Sequence, residues 1–172
     1  MTRRDTLHRF LLAAVLLAVG TPVFADSGAA AAPHVLAVGD AVPALALRDQ
    51  HDADVPVDAS TRVLLFTRDM TGGGLVKEAL AKNGKDLLTA AGAVYVSDVS
   101  RMPGLVLSAF ALPSLRKRPY PIALDRSGDV TSVLPSADGK ATVLSLDAGK
   151  IRAVTFAATS AEVTAALRQA GR

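Results

Sequence analysis

The strongest strand pattern in the chain lies between Arg62 and Asp69, where four apolar residues follow one another without interruption. A continuous apolar run of this kind suits a central strand that is buried on both faces of a sheet. Further runs at 93–99 and 120–125 are predicted to be strands as well. The chain is therefore expected to contain a sheet with a deeply buried centre.

Three segments have the spacing of helices. The first follows the central strand, and Asn83-Gly84 ends or interrupts it. The second begins at Pro103, which suits the first position of a helix, and Pro113 is expected to close it. The third begins at Thr159, where Glu162 three residues later completes a capping box.

Polar turns between short apolar segments predict two hairpins. The first joins residues 44–47 to a return strand near 55–57, and the second turns tightly at Asp147–Lys150. A further strand is expected around 130–134. Strand-helix alternation in the first half favours parallel pairing, and the second half is expected to be antiparallel. The fold class is therefore α/β, a mixed sheet with helices on both faces and an N-terminal β-hairpin.

The first 33 residues are expected to lie outside the folded domain. Residues 1–25 resemble a secretory signal peptide, with three arginines, an apolar run from Phe10 to Val19, and a cleavage site after Ala25. That run is about half of the ~20 apolar residues that a membrane-spanning helix needs. Residues 26–33 form a low-complexity tether, and the domain covers 34–172. The pattern predicts export to the periplasm, with no stable membrane insertion after cleavage. The general secretory route is favoured, and the twin-arginine route is the alternative, since Arg3-Arg4 half-matches its signal.

Charge and aromatic content argue against nucleic-acid binding. The chain has 19 Lys and Arg against 16 Asp and Glu, and the predicted signal peptide holds three of the cations but only one of the acids. The remaining domain is nearly neutral, whereas nucleic-acid binding draws on many cations that face phosphates. Only 4% of the residues are aromatic, so surfaces for base stacking are not expected either.

The chain contains no cysteine. Exported proteins fold where disulfides persist, so the stability of this domain must come from its core alone. The absence of thiols excludes disulfide exchange, thiol peroxidase chemistry and thiolate metal sites together.

Several segments, in this order and spacing, resemble parts of known proteins. Val38–His51 resembles the entry segment of peroxiredoxins of the alkyl hydroperoxide reductase/thiol-specific antioxidant group, and Arg62–Met70 resembles the strand that delivers the reactive cysteine in the thioredoxin superfamily. Tyr120–Gly128 resembles the segment in which that superfamily carries its cis-proline. With Met102-Pro103, these features look most like the small YtfJ-type periplasmic proteins. The resemblance covers about residues 34–168 and implies a thioredoxin-like fold.

The chain departs from this superfamily at the reactive position. Thiol peroxidases carry T-x-x-C at the end of the strand, where this sequence has Thr67-Arg68-Asp69-Met70. Thioredoxins carry C-x-x-C at the start of the helix, and here Met70-Thr71-Gly72-Gly73 stands nearby. The superfamily's chemistry depends on a thiolate whose pKa is lowered by the N-terminus of a helix. A thioether cannot replace that nucleophile.

The resemblance also predicts where a retained ligand site would lie. Thr71–Gly74 precedes a helix, and exposed N–H groups there favour anions; a plain turn in place of the lost redox motif is the alternative. The basic run Arg116–Arg118 is expected to rim the same pocket as Arg68, or else to be a solvated loop. Pro121 is predicted to be cis and to pack against the turn at residues 70–74. The predicted ligand-binding residues are Arg68, Met70, Thr71, Gly72, Gly73, Arg118 and Pro121.

No catalytic residue, metal site or cofactor is predicted. His34 and His51 are the histidines of the mature domain, and the carboxylates of Asp52, Asp54 and Asp58 lack the pattern of a calcium loop. The function indicated is an exported thioredoxin-like protein without thiol redox activity, a binding or accessory module of the cell envelope. Its partner would be an envelope protein or a small anionic ligand. The alternative is a peroxiredoxin-related oxidoreductase that uses a non-thiol group or a bound cofactor.

Overall fold

The computed structural model describes residues 34–172, and the predicted signal peptide and tether lie outside these residues. The described part contains one seven-stranded sheet and four helices. The strands are β1 (Leu47–Arg48), β2 (Asp54–Val55), β3 (Val63–Thr67), β4 (Ala93–Asp98), β5 (Ala123–Asp125), β6 (Ala141–Asp147) and β7 (Lys150–Ala157). The helices are α1 (Met70–Ala79), α2 (Gly84–Ala91), α3 (residues 104–115) and α4 (Ser160–Ala170).

Strand β3 lies inside the sheet, whose order is β2-β1-β5-β4-β3-β6-β7. All five of its residues are buried, as the continuous apolar run predicted. It pairs parallel with β4 and antiparallel with β6, while β1 and β2 form the N-terminal hairpin. The predicted mixed α/β sheet is confirmed. The antiparallel second half is wrong for β5, which pairs parallel with β4.

All four helices pack against one face of the sheet. From β3 through α1 and α2 to β4, and from β4 through α3 to β5, the chain moves in the same direction across the sheet. Right-handed crossovers that advance in one direction place their helices on the same face. One core on that face contains apolar side chains from every helix, among them Val76, Leu88, Leu107 and Val163. The expectation of helices on both faces is therefore wrong.

The opposite face of the sheet is covered by irregular chain. Leu45 from the segment before the hairpin and Leu134 from the β5–β6 connection are buried against Leu64 and Phe66 of β3. The N-terminal segment is held by backbone hydrogen bonds, such as that from Leu36 to the carbonyl of Val133 at 2.8 Å. Loops therefore bury a second core where helices were expected.

Helix α3 contains one turn of π-helix. The N–H of Leu112 donates to the carbonyl of Leu107, five residues earlier, which is the π-helical pattern. Pro113 was expected to close this helix, but it lies in the first turn of the last α-helical part, where N–H groups have no α-helical acceptor. The helix therefore continues past Pro113. Its three parts are Gly104–Val106 (α), Leu107–Ala111 (π) and Leu112–Leu115 (α).

Residues 130–134 form turns, so the strand predicted there is wrong. The carboxylate of Asp125, only 1% exposed, accepts hydrogen bonds from the N–H groups of Gly128 and Thr131, both at 2.8 Å, and from the hydroxyl of Thr131 at 2.9 Å. Donors that are committed to one carboxylate are not available to a neighbouring strand. The segment is therefore wrapped around Asp125 instead of extended.

Both local signals of the C-terminal part are confirmed. The hydroxyl of Thr159 accepts from the N–H of Glu162 at 3.2 Å, and the carboxylate of Glu162 accepts from the N–H of Ala158 at 2.8 Å. The β6–β7 hairpin turns over Ala148 and Gly149, whose φ angles of 47° and 77° match the tight turns that suit right-handed strand twist.

Candidate functional site

The N-terminus of α1 forms the candidate site at the carboxyl edge of the sheet. Parallel β3 and β4 end side by side there, with Thr67 opposite Ser97, and α1 begins three residues after β3. Five of the seven predicted ligand residues, Arg68 and residues 70–73, come together at this edge because they are nearly consecutive. Met70, the first residue of α1, is 85% exposed.

Asp69 caps α1 and ties it to the loop before β6. Its backbone is extended, with φ −134° and ψ 169°, and its Oδ1 accepts from the N–H of Gly72 at 2.7 Å, as an N-cap residue does. Its Oδ2 accepts from the N–H of Gly139 at 2.8 Å. The carboxylate therefore occupies the end of the helix dipole that an external anion would otherwise use.

The environment of Asp69 keeps its carboxylate ionised. Burial raises the pKa of Asp69, but the N–H groups of Gly72, Gly139 and Thr71 and the charge of Arg101 lower it by more, so the pKa lies below its usual value. A carboxylate that holds no proton at neutral pH, and whose oxygens accept backbone hydrogen bonds, is suited to a structural role.

Gly72 allows the backbone of α1 to touch the loop at residues 138–141. A Cβ at this position would collide with the carbonyl oxygen of Lys140 and lie 3.0 Å from its carbonyl carbon. A Cβ on Gly73 or Gly74 would meet no other atom within 4 Å. Of these three glycines, Gly72 is therefore the one that the packing requires.

The guanidinium of Arg68 is bound within the protein. It donates to the hydroxyl of Ser136 at 2.8 Å and to the carbonyl of Thr131 at 2.7 Å, and its Nε lies 3.4 Å from a carboxylate oxygen of Asp98. Its Cζ lies 5.2 Å from the centre of the Phe66 ring, within the range of a cation–π contact. Arg68 therefore joins the ends of β3 and β4 to the β5–β6 connection.

The positive charge of Arg118 acts on two buried tyrosines. Burial raises the pKa of Tyr95, which is 7% exposed, and of Tyr120, and the positive charge of Arg118 partly offsets both effects. The Tyr95 hydroxyl is 3.2 Å from the hydroxyl of Thr67, beneath the end of β3. This arrangement keeps both tyrosines neutral, and both belong to the helical core of the sheet.

The predicted cis-proline is wrong. No cis peptide bond occurs within residues 34–172, so Pro121 is trans. The side chain of Gln50 holds the surrounding segment extended, because its Nε2 donates to the carbonyl of Tyr120 at 2.9 Å and its Oε1 accepts from the N–H of Ile122 at 2.8 Å. These contacts add a sheet-like pairing just before β5.

Pro121 also lies at the other edge of the sheet. Leu124 of β5 pairs with Ser97 of β4, which pairs with Thr67 at the carboxyl end of β3. Pro121 comes three residues before Leu124 and therefore lies toward the amino ends of these parallel strands. It lines a cavity of about 200 Å³ together with Gly92, which ends α2 at the amino edge. The main reason for grouping Pro121 with the turn at residues 70–74 is therefore removed.

The loop that faces the N-terminus of α1 is residues 138–141. Gly139 donates to Asp69, and the backbone of Lys140 lies against Gly72, so this loop holds the place beside the helix that was expected for Pro121. The sequence prediction missed both Asp69 and this loop. An Asp directly before a helix is a capping signal that would have indicated the first, whereas the long-range contact of Gly139 left no pattern in the sequence.

The histidines are placed away from this edge. Nε2 of His34 is 3.1 Å from the carboxylate of Asp40 in the N-terminal segment, and His51 is exposed in the β1–β2 turn. Within residues 34–172 no group of three or more His, Asp and Glu side chains is placed to hold a metal ion.

Comparison with known proteins gives the fold and no closer relationship. No protein-family model matches the sequence, and no curated protein is similar to it. The thioredoxin domain of a thiol-disulfide oxidoreductase from Bacteroides vulgatus matches with a TM-score of 0.53 and 16% identity over 80% of this chain and 99% of that one. The peroxidoxin BcpB from Mycobacterium tuberculosis matches with a TM-score of 0.50 and 19% identity, over 77% of this chain and 96% of that one. A peroxiredoxin-like protein from Aquifex aeolicus matches with a TM-score of 0.51 and 13% identity, over 81% of this chain and 90% of that one.

The chain has a thioredoxin-like fold. Its neighbours include proteins described as thiol-disulfide oxidoreductases and peroxiredoxins, as the sequence resemblance implied. Because this thioredoxin-like chain has no cysteine, the thiol chemistry in their descriptions has no support here. The more specific resemblance to YtfJ-type proteins stays a prediction.

Proposed function

We propose that this protein is a redox-inactive thioredoxin-like module that binds a polypeptide at the carboxyl edge of its sheet. The observation that carries the proposal is Met70, which is 85% exposed on the first turn of α1 beside the loop at residues 138–141. Methionine is flexible and polarizable, and it suits contacts with partners of varied shape. We call Met70, Thr71, Gly139 and Lys140 the Met70 surface.

A polypeptide fits the Met70 surface better than a small anion does. The N–H groups of Thr71 and Gly72, which would hold an anion at the helix N-terminus, are already directed at the carboxylate of Asp69. An incoming anion would have to displace that carboxylate or lie beside its negative charge. Arg68, the nearest predicted cation, is committed to Ser136, Thr131 and Asp98.

The placement of this module in the cell envelope rests on the N-terminal pattern of the sequence. Residues 1–25 have the basic and apolar regions of a secretory signal, and the chain carries no thiols that an oxidising compartment would pair. The proposal is a periplasmic protein of a Gram-negative bacterium. A mature chain that begins at Asp26 in a periplasmic fraction would support this placement, and an envelope-bound chain that still begins at Met1 would contradict it.

Turnover assays separate the binding module from an oxidoreductase that works without thiols. The purified mature protein is tested for peroxide reduction and for disulfide reduction, each with its usual electron donor. The binding module gives rates equal to those of buffer. Turnover that survives dialysis and is lost in Met70→Ala would reject the proposal and place chemistry at the same surface.

A further inference from the structure

Helix α3 presents apolar side chains to solvent as well as to the core. Of the seven large apolar side chains that are exposed within residues 34–172, three lie on this helix: Leu105 is 77% exposed, Val106 42% and Phe110 71%. Its inner side chains Leu107, Leu112 and Leu115 pack against the helical core. The helix therefore has two apolar faces, and residues 34–172 cover only one of them.

The π-helical turn aligns each of these faces. Leu107 and Leu112 are five residues apart on the inner side, and Leu105 and Phe110 are five residues apart on the outer side. In an uninterrupted α-helix, residues three and four apart share a face, whereas a π turn brings i and i+5 together. The π turn thus keeps Phe110 beside Leu105 on the exposed side while Leu112 stays in the core.

Cations stand at both ends of α3 with no acid between them. The chain contains no Asp or Glu from Val99 to Leu124, whereas it contains four cations in that stretch. Arg116 donates to the carbonyl of Gln50 at 2.9 Å, and the charge of Arg118 acts on Tyr95 and Tyr120. Arg101 before the helix and Lys117 after it are exposed, and neither side chain makes a hydrogen bond or ion pair among the described residues.

We propose that the outer face of α3 docks on an anionic phospholipid surface, with Leu105 and Phe110 in the interfacial layer and Arg101 and Lys117 beside lipid phosphates. The twelve uncharged residues of α3, about 18 Å of helix, lie between the two cations, so a helix parallel to the membrane contacts headgroups at both ends. Cations near an anionic leaflet add attraction that complements apolar burial. A protein groove would also bury the apolar residues, but it need not carry negative charges at both ends of α3. An anionic membrane surface presents phosphates to both Arg101 and Lys117.

This docking is peripheral. No helix of residues 34–172 has the length and hydrophobicity needed to cross a bilayer. The inner face of α3 belongs to the core, so the helix contributes only its outer stripe to the membrane. The proposed docking uses none of the residues of the Met70 surface, so its argument does not depend on the proposed polypeptide partner.

A tryptophan reporter tests the docking directly, because the chain has no tryptophan of its own. Phe110→Trp is mixed with vesicles of phosphatidylcholine alone or with phosphatidylglycerol, and Phe156→Trp on β7, at a residue 39% exposed, is the matched control. The proposal predicts a blue shift of Phe110→Trp with the anionic vesicles, its reversal in about 0.5 M salt, and no shift of Phe156→Trp. No shift with either vesicle, or equal shifts of the two reporters, would overturn it.

Charge reversal supplies the second arm of the test. In the Phe110→Trp background, Arg101→Glu with Lys117→Glu is expected to weaken anionic vesicle binding at least about tenfold. Lys82→Glu with Lys85→Glu changes the net charge equally at exposed positions in α2 and in the turn before it, and it is expected to change binding by less than about twofold. Circular dichroism checks that each variant is folded. If the two double variants weaken binding equally, Arg101 and Lys117 do not contact the lipid phosphates and the proposal fails. It also fails if vesicles never bind and Phe110→Asp converts a dimer into a monomer, because the face then contacts a second copy of the chain.

Discussion

The carboxylate of Asp69 and the backbone N–H of Gly139 are joined by a 2.8 Å hydrogen bond across 70 residues of sequence. The same carboxylate accepts from the N–H of Gly72 at 2.7 Å, so one side chain both caps α1 and fixes the loop that lies against it. The Met70 surface exists because of this link, since Met70 and Lys140 come from the two segments that Asp69 connects.

Replacing Asp69 by Ala should destabilise the protein through two lost hydrogen bonds. The N–H groups of Gly72 and Gly139 would both lose their acceptor, and we expect the free energy of unfolding to fall by about 1–3 kcal/mol. Urea denaturation at pH 7 measures this. Asp138→Ala, in the same loop but without a hydrogen bond to its side chain, should change it by less than about 0.5 kcal/mol. Equal effects of the two variants would contradict the assigned role of Asp69.

Two alanine substitutions in the same helix should have opposite effects. Gly72→Ala places a Cβ against the carbonyl of Lys140, and the required shift should destabilise the protein by about 1–3 kcal/mol despite the better helix propensity of alanine. Gly74→Ala meets nothing within 4 Å and should stabilise it by about 0.5–1 kcal/mol. Thermal denaturation compares the pair. Stabilisation by both would mean that the loop at residues 138–141 does not press on α1.

Removing the guanidinium of Arg68 should leave the carboxylate of Asp98 without its cation. The Asp98 side chain is 5% exposed, and breaking a buried pair by removing one partner costs about 3–5 kcal/mol, so a loss near 3 kcal/mol is expected for Arg68→Ala. Arg152→Ala, which breaks an exposed pair with Asp147, should cost at most about 1 kcal/mol. Chemical denaturation of both variants at pH 7 measures the difference. Similar small losses would show that Arg68 is available for a ligand.

Acid should destabilise the protein through its hydrogen-bonded carboxylates. Burial raises the pKa of Asp125, but hydrogen bonds from Thr131, Gly128 and Ser127 lower it by more, to below its usual 3.8. Because the folded pKa is depressed, the stabilisation is complete above the unfolded pKa and is lost as pH falls through the folded one. The free energy of unfolding should therefore stay level from pH 7 to about 5 and decline below about 4.

The variant Asp125→Asn identifies the source of this decline. Its amide N–H₂ cannot accept from Thr131, so the variant should be less stable at pH 7 and should lose less on acidification. Urea midpoints measured across the pH range compare the two proteins. Parallel curves for the variant and the parent protein would show that Asp125 does not contribute to the acid transition.

Local patterns predicted the elements of this fold better than their arrangement. The run at residues 63–66, the box at Thr159 and the turn at Ala148-Gly149 each act over a few residues, and each is confirmed. The strand expected at 130–134 failed because a single buried carboxylate, Asp125, draws the donors of that segment into a turn. Helices were expected on both faces because the order of the strands, which sets the side of each crossover, is not written in any local pattern.

The candidate site was predictable only where it is local. Residues 68–73 lie together because they are adjacent in sequence, and the N-terminal end of α1 follows from the strand before it. Pro121 was assigned by resemblance to a loop that the structure places at the other edge, where Gln50 holds it. The residue that does bind the cap of α1 is Gly139, which is 70 residues from Asp69 in sequence. Because any residue except proline can donate its backbone N–H in this way, the contact leaves no pattern in the sequence.

Site-specific photocrosslinking at Met70 tests the central claim most directly. A photoreactive amino acid replaces Met70 in one protein and Val38, which is 63% exposed in the N-terminal segment, in the other. Both proteins are expressed in Gram-negative bacterial cells, which are then irradiated. The account predicts a discrete protein adduct from position 70 that is absent from position 38 and is competed by excess unlabelled protein. Equal adducts from both positions, or none from position 70 under conditions in which the protein is folded and exported, would contradict a polypeptide-binding Met70 surface.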